Sequence, residues 1–201
     1  MSYRNFSLEN VQQKFNLNSL ENIGVFADVK PVNSSDLLQR ILQDNLPIAI
    51  ASNSEKARSE MIIAPILVEL KRHFGDEINL FSGVNFTVDE TQELNGICDF
   101  LISHSSEKLF ISAPIITLVE AKKEDLNAGL GQCIAEMIAA QIFNQKENNN
   151  ISMILGVVTS GTNWRFLKLE EANVYIDLTE YYLSDLNKIL GILSSSLEQF
   201  K

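Results

Sequence analysis

At 201 residues, 45% hydrophobic and 21% charged, the chain is long enough to bury a full core and too ordinary in composition for long disorder. A formal net charge of −10 opposes nucleic-acid binding through clustered Lys and Arg. The only two histidines, His73 and His104, lie outside any HExxH or Cys/His cluster, which removes most zinc chemistry.

The N-terminal MSYRNFSLENVQQKF has no apolar segment of the kind that directs secretion, and no apolar run reaches the ~18 residues of a spanning helix. A cytoplasmic protein without membrane contact is expected. Ser7 precedes a short helix, LENVQQKF, and a less regular stretch runs on through FADVKPV. Ser35 or Asp36 caps a second helix, DLLQRILQDN, and LPIAIA leads to Ser54, the N-cap of EKARSEMIIAPILVELKRHFG. That segment carries a broad apolar stripe of Met61, Ile62, Pro65, Ile66, Val68 and Leu70, and Pro65 should kink or break it.

EINLFSGVNFTVD reads as a strand with a bulge or bend at Ser82 and Gly83. GICDFLIS and APIITLVEAKK follow as adjacent strands joined by a loop. Asp125 caps the helix LNAGLGQCIAEMIAAQIFNQ, which the polar KENNN run ends. SMILGVVTSG and NWRFLKLE form a hairpin, NVYIDL a short strand, and LSDLNKILGILSSSLEQF a final amphipathic helix. Its stripe of Leu186, Ile189, Leu190 and Leu193 suits the protein's own core, with a second copy as the other partner. The order predicts an α/β domain, a mixed sheet flanked by helices. We expect a single domain over 1–201, with an N-terminal extension (1–53), a central core (54–169) and a C-terminal strand and helix (170–201). Cys98 and Cys133 fall inside core elements without paired spacing and should be reduced, buried thiols. GLGQC lacks the GxxxxGK[ST] pattern of a phosphate loop, so ATP is not implied.

The chemistry concentrates at two strand ends. On a strand, Glu120 and Lys122 project to one face and Ala121 to the other, so an acid and a cation share a patch. Glu69 and Lys71 form the same tripeptide inside a helix, where the two side chains diverge. Asp99 supplies a second carboxylate from the neighbouring strand, and hard oxygen donors suit Mg²⁺ or Mn²⁺. Glu60 lies on the helix before both. Lys123 faces away from the patch as a solvent charge, and Trp164 and Arg165 near a hairpin turn are either structural or placed to stack on a base and grip a phosphate.

This order of residues resembles the PD-(D/E)XK nuclease superfamily over roughly residues 54 to 169. The resemblance implies a restriction-endonuclease-like αβββαβ core, here with an N-terminal helical extension and a C-terminal helix. Glu60 matches the acid of the first helix, Asp99 the metal aspartate, and Glu120 and Lys122 the tripeptide. Gln132 is similar to the helical glutamine of several branches, and Cys98 stands where the motif has its proline. VVTSGTNWRFLKL resembles a strand pair in the nuclease domains of type I restriction subunits, and the whole chain resembles a bacterial family of small stand-alone proteins. The implied activity is Mg²⁺ (or Mn²⁺)-dependent endonuclease cleavage of DNA. Asp99, Glu120 and Glu60 would then be metal ligands, with Lys122 and Gln132 at the reacting phosphate. The charge of −10 motivates the alternative, a non-catalytic or partner-dependent protein-interaction module on the same fold.

Overall fold

The computed structural model describes residues 2–200. Its helices are α1 (Leu8–Phe15), α2 (Asp36–Ser52), α3 (Glu55–Arg58), α4 (Ala64–Phe74), α5 (Asn127–Lys146) and α6 (Leu186–Ser195). Its strands are β1 (Asn18–Asn22), β2 (Asn79–Asn85), β3 (Ile97–Ser103), β4 (Ile115–Ala121), β5 (Ile154–Thr159), β6 (Asn163–Glu170), β7 (Asn173–Asp177) and β8 (Tyr181–Tyr182). All eight strands join one mixed sheet in the order β1-β7-β6-β5-β4-β3-β2, with β8 on β6. The β2-β3-β4 meander is antiparallel, α5 crosses over to β5 parallel to β4, and β6 and β7 continue antiparallel. The molecule is thus an α/β protein with helices on both faces of the sheet.

Every residue of β4 and β5 is buried, as expected of central strands covered on both sides. One face packs Phe100, Val119, Val157 and Phe166 against α2, α4 and α6; the other packs Leu101, Leu118 and Val158 against α1 and α5. Ile189, Leu190 and Leu193 of α6 are buried in the first of these clusters, so the final helix serves the protein's own core. Cys98 and Cys133 are free and buried in the second. Among the described residues no helix is long and apolar enough to cross a membrane.

Ser7, Ser35 and Ser54 accept hydrogen bonds from the backbone N–H groups of Asn10, Leu38 and Ala57 and start their helices as the sequence predicts. Two expectations need correction. LPIAIA belongs to α2, which runs through Pro47 to an αL cap at Asn53. The less regular stretch contains β1, a polar edge strand that pairs with β7.

Pro65 acts as expected, and its effect is specific. Without an N–H it cannot bond the carbonyl of Met61, and the chain forms a π-helical turn at Ser59–Ile63 between α3 and α4. Asn45 of α2 donates through Nδ2 to that Met61 carbonyl at 2.9 Å. The bend expected in β2 is a left-handed Gly83 (φ 62°), with the register to β3 unchanged on either side. A bulge occurs instead at Ile116: Ile102 pairs with Thr117, but Ser103 pairs with Ile115.

Candidate metal and phosphate site

The two strand ends meet as their spacing requires. Phe100 pairs with Val119, so one step further along the antiparallel ladder Asp99 faces Glu120. Asp99 Oδ2 accepts from the Ala121 N–H at 2.9 Å, so the side chain finishes the β3–β4 ladder where backbone pairing stops. Ala121 packs into the face holding Val119, while Glu120 and Lys122 turn together to the α5 side. Lys122 Nζ lies 2.5 Å from Glu120 Oε1, and its own N–H continues the β4–β5 ladder by donating to the Thr159 carbonyl at 2.8 Å.

Helix α5 closes the patch. Gln132 Nε2 donates to Glu120 Oε2 at 2.7 Å and to Glu136 Oε1 at 3.1 Å, while its Oε1 lies 3.4 Å from Lys122 Nζ. A Cβ at Gly129 would stand 2.6 Å from Val158 Cγ1 and 3.0 Å from Lys122 Cε, so the absence of a side chain there lets the lysine stem lie on the helix. Asp125 is not the cap the sequence predicts: Leu126 takes the N-cap position of α5 without a side-chain cap bond, and Asp125 Oδ1, one residue earlier, accepts from the Asn127 N–H at 2.9 Å.

Glu120 is 2% exposed. Burial and then the Asp99 charge raise its pKa to about 7, against the opposing pull of Lys122. Burial alone would lower Lys122, but Glu120, Glu55 and Asp99 together raise it above its ordinary value, so the ammonium stays charged. Glu136 is fully buried, and burial followed by the Glu120 charge pushes it well above the carboxylate range. Several acids therefore crowd one lysine, an excess of negative charge that a divalent cation would relieve.

Asp99, Glu120, Lys122 and Gln132 are brought together; Glu60 is not bonded to any of them. It sits on the π-helical turn, its side chain 58% exposed and paired with Lys56 at 2.6 Å. It shares a cavity of about 260 Å³ with Glu55, Gly83 and Asp99. Glu55, which the sequence reading passed over, is the helical acid whose charge acts on both Glu120 and Lys122. Its position in the first turn after the Ser54 cap was the available signal, since an acid there faces the same end of the sheet. Glu136 was also passed over, although it lies four residues after Gln132 and hence on the same helical face.

The remaining candidates separate cleanly. Glu69 accepts from the Ser35 N–H, while Lys71 donates to the carbonyls of Gly75 and Ile78, so this second Glu-x-Lys pair diverges on its helix. Trp164 is wholly buried, with Nε1 donating to the Gly161 carbonyl, and its role is core packing rather than base stacking. Arg165 Nη1 donates to Asn127 Oδ1 at 2.6 Å beside the start of α5.

Among the described residues no three His, Cys, Asp or Glu side chains converge to hold a metal by themselves. Two carboxylates on neighbouring strands suit Mg²⁺, which ordinarily keeps several waters and takes one or two carboxylates; Asp99 lines the cavity, whereas Glu120 is buried beside it with its oxygens on Lys122 and Gln132. Neither a family model nor a curated protein matches this chain.

Proposed function

We propose that the protein is a Mg²⁺ (or Mn²⁺)-dependent endonuclease that hydrolyses DNA phosphodiester bonds on a restriction-endonuclease-like αβββαβ core. The observation that carries this reading is the pairing of Lys122 with Glu120 at 2.5 Å on one strand end while Asp99 faces them from the next strand. The helix of residues 55–74, the β2-β3-β4 meander, α5 and β5 follow one another as such a core requires.

In this reading Asp99 and Glu120 would hold the cation, which would supply Lewis-acid polarisation of the phosphate and activation of water. Lys122, kept protonated by the carboxylates around it, orients the attacking water or meets charge developing on the phosphate. Gln132 steadies both partners, because it touches Glu120 with one end of its carboxamide and Lys122 with the other.

A nicking and linear-cleavage assay on supercoiled and single-stranded DNA with Mn²⁺ tests the reading. Cleavage by wild type should fall on the order of 10³-fold in Lys122→Ala. Equal activity in the mutant would identify a contaminant. Silence in the wild type would favour the second reading, a non-catalytic module or partner-dependent subunit, which the charge of −10 supports because unaided DNA affinity needs clustered cations. Calorimetry separates these cases further: a working site binds Mn²⁺ and loses it in Asp99→Ala.

A further inference from the structure

Glu136 is a buried acid of the site group that the nuclease reading does not use. It lies at the middle of α5, fully buried, and only one of its oxygens has a partner: Oε1 accepts from Gln132 Nε2 at 3.1 Å, whereas Oε2 is buried and makes no hydrogen bond. A half-satisfied buried carboxyl weakens a fold, and an apolar side chain of the same size would ordinarily be neutral or better. Stability therefore gives no reason for an acid here. Its one contact does.

The Gln132 carboxamide can be placed two ways round. With its NH₂ toward Glu120 Oε2 and Glu136 Oε1, and its oxygen toward the Lys122 ammonium, every contact joins a donor to an acceptor. Turned over, its oxygen would face two carboxyl groups and its NH₂ would face an ammonium. Glu120 alone sets one half of this preference. Glu136 supplies the second acceptor, which fixes the plane of the amide as well as its direction and so holds the oxygen on Lys122.

We propose that Glu136 is a positioning residue, acting through Gln132 to aim the Lys122 ammonium and the Glu120 carboxylate at the reacting phosphate. The proposal rests on the nuclease reading for its consequence in catalysis, but the orientation of Gln132 is a property of the free protein. Burial and the neighbouring Glu120 charge push the pKa of Glu136 up, which lessens the charge this acceptor adds beside Glu120.

Two readouts test it on the full chain. In Mn²⁺-dependent cleavage, Glu136→Met should lower kcat on the order of tenfold with KM little changed, while its thermal midpoint stays at or above that of wild type. Glu136→Gln, which keeps a carbonyl acceptor at the same place, should recover most of that loss. In ¹H–¹⁵N NMR spectra of the metal-free protein, assigned through Gln132→Met, the Gln132 side-chain amide pair should be distinct and slowly exchanging in wild type. It should collapse toward the free-amide position in Glu136→Met. Unchanged kcat in Glu136→Met, or a loss that merely tracks a lowered midpoint, would overturn the proposal. If wild type does not cleave, the nuclease reading fails by itself, and the amide signals decide on Glu136: unaltered signals in Glu136→Met refute the positioning role.

Discussion

Two of the buried carboxyl groups, those of Asp177 and Glu120, are built in opposite ways. Asp177, at the end of β7, is wholly buried and accepts four hydrogen bonds, Oδ1 from the N–H groups of Gly24 and Thr179 and Oδ2 from the Phe26 N–H and the Tyr181 hydroxyl. Each donor is neutral, and both oxygens are saturated. Glu120, at the end of β4, shares its region with Asp99, Glu55 and Glu136, and one lysine must serve them. The first arrangement ties the loop after β1 to the sheet and gains from being closed. The second holds like charges together at a cost in stability, which is how sites that bind cations or move protons are usually built.

Breaking the saturated region should have the largest effect. Asp177→Ala would leave the Phe26 and Thr179 amides and the Tyr181 hydroxyl without their acceptor and the Gly24 amide with Thr179 Oγ1 alone, and we expect a loss of about 3–5 kcal/mol in urea unfolding. Mn²⁺ binding should survive in the folded fraction, because this aspartate lies on the other side of the sheet order from β3 and β4. A loss below about 1 kcal/mol would mean that the four bonds are no better than solvation and that the contrast between the two regions is false.

The crowded region should show itself through pH. An acid whose pKa is raised by folding binds its proton more tightly in the folded state than in the unfolded chain. Between its ordinary pKa and its raised value the folded protein therefore carries more protons, and stability falls as pH rises. For Glu120, raised from 4.5 to about 7, its own part of the decline should span that window and amount to about 3 kcal/mol in the metal-free protein, with Glu136 adding in the same direction. Glu120→Gln should make the decline shallower, leaving the part that Glu136 contributes. Stability that rises through this window in wild type would show that Lys122 compensates Glu120 fully, and that the site carries no excess of negative charge.

The difference between these regions also marks what the sequence could disclose. The alternation in APIITLVEAKK fixed which way Glu120 and Lys122 point, and Ser7, Ser35 and Ser54 gave their helix starts, because both signals are local. Strand β1 was hidden because NSLEN is polar and lies at the sheet edge, where its order comes from β7 and from the Asn18–Asn173 side-chain pair. The run of α2 through Pro47 was hidden by a residue that normally ends helices. Asp177 gave no sign at all, since its donors come from Gly24, Phe26 and Tyr181, and only the folded chain gathers them. Within the site, Gln132 was legible from resemblance, but its partner Glu136 required treating α5 as a surface with a four-residue repeat.

The finest distinction concerns which acid of the 55–74 helix takes part. Resemblance points to Glu60, yet that residue is turned toward Lys56 and solvent on the π-helical turn, while the charge of Glu55 reaches both Glu120 and Lys122. An exposed ion pair exchanges freely with water, so nothing in its present contacts draws Glu60 to the strand ends. We therefore expect Glu55→Gln to weaken Mn²⁺ binding several-fold, up to about tenfold, in calorimetry. Glu60→Gln should change it by less than about twofold. The reverse ranking would mean that the cation pulls the π-helical turn inward and exchanges the Lys56 pair for a contact with the site. In that case the turn imposed by Pro65 is a moving part of the cation site, and Glu55 merely part of the field around it.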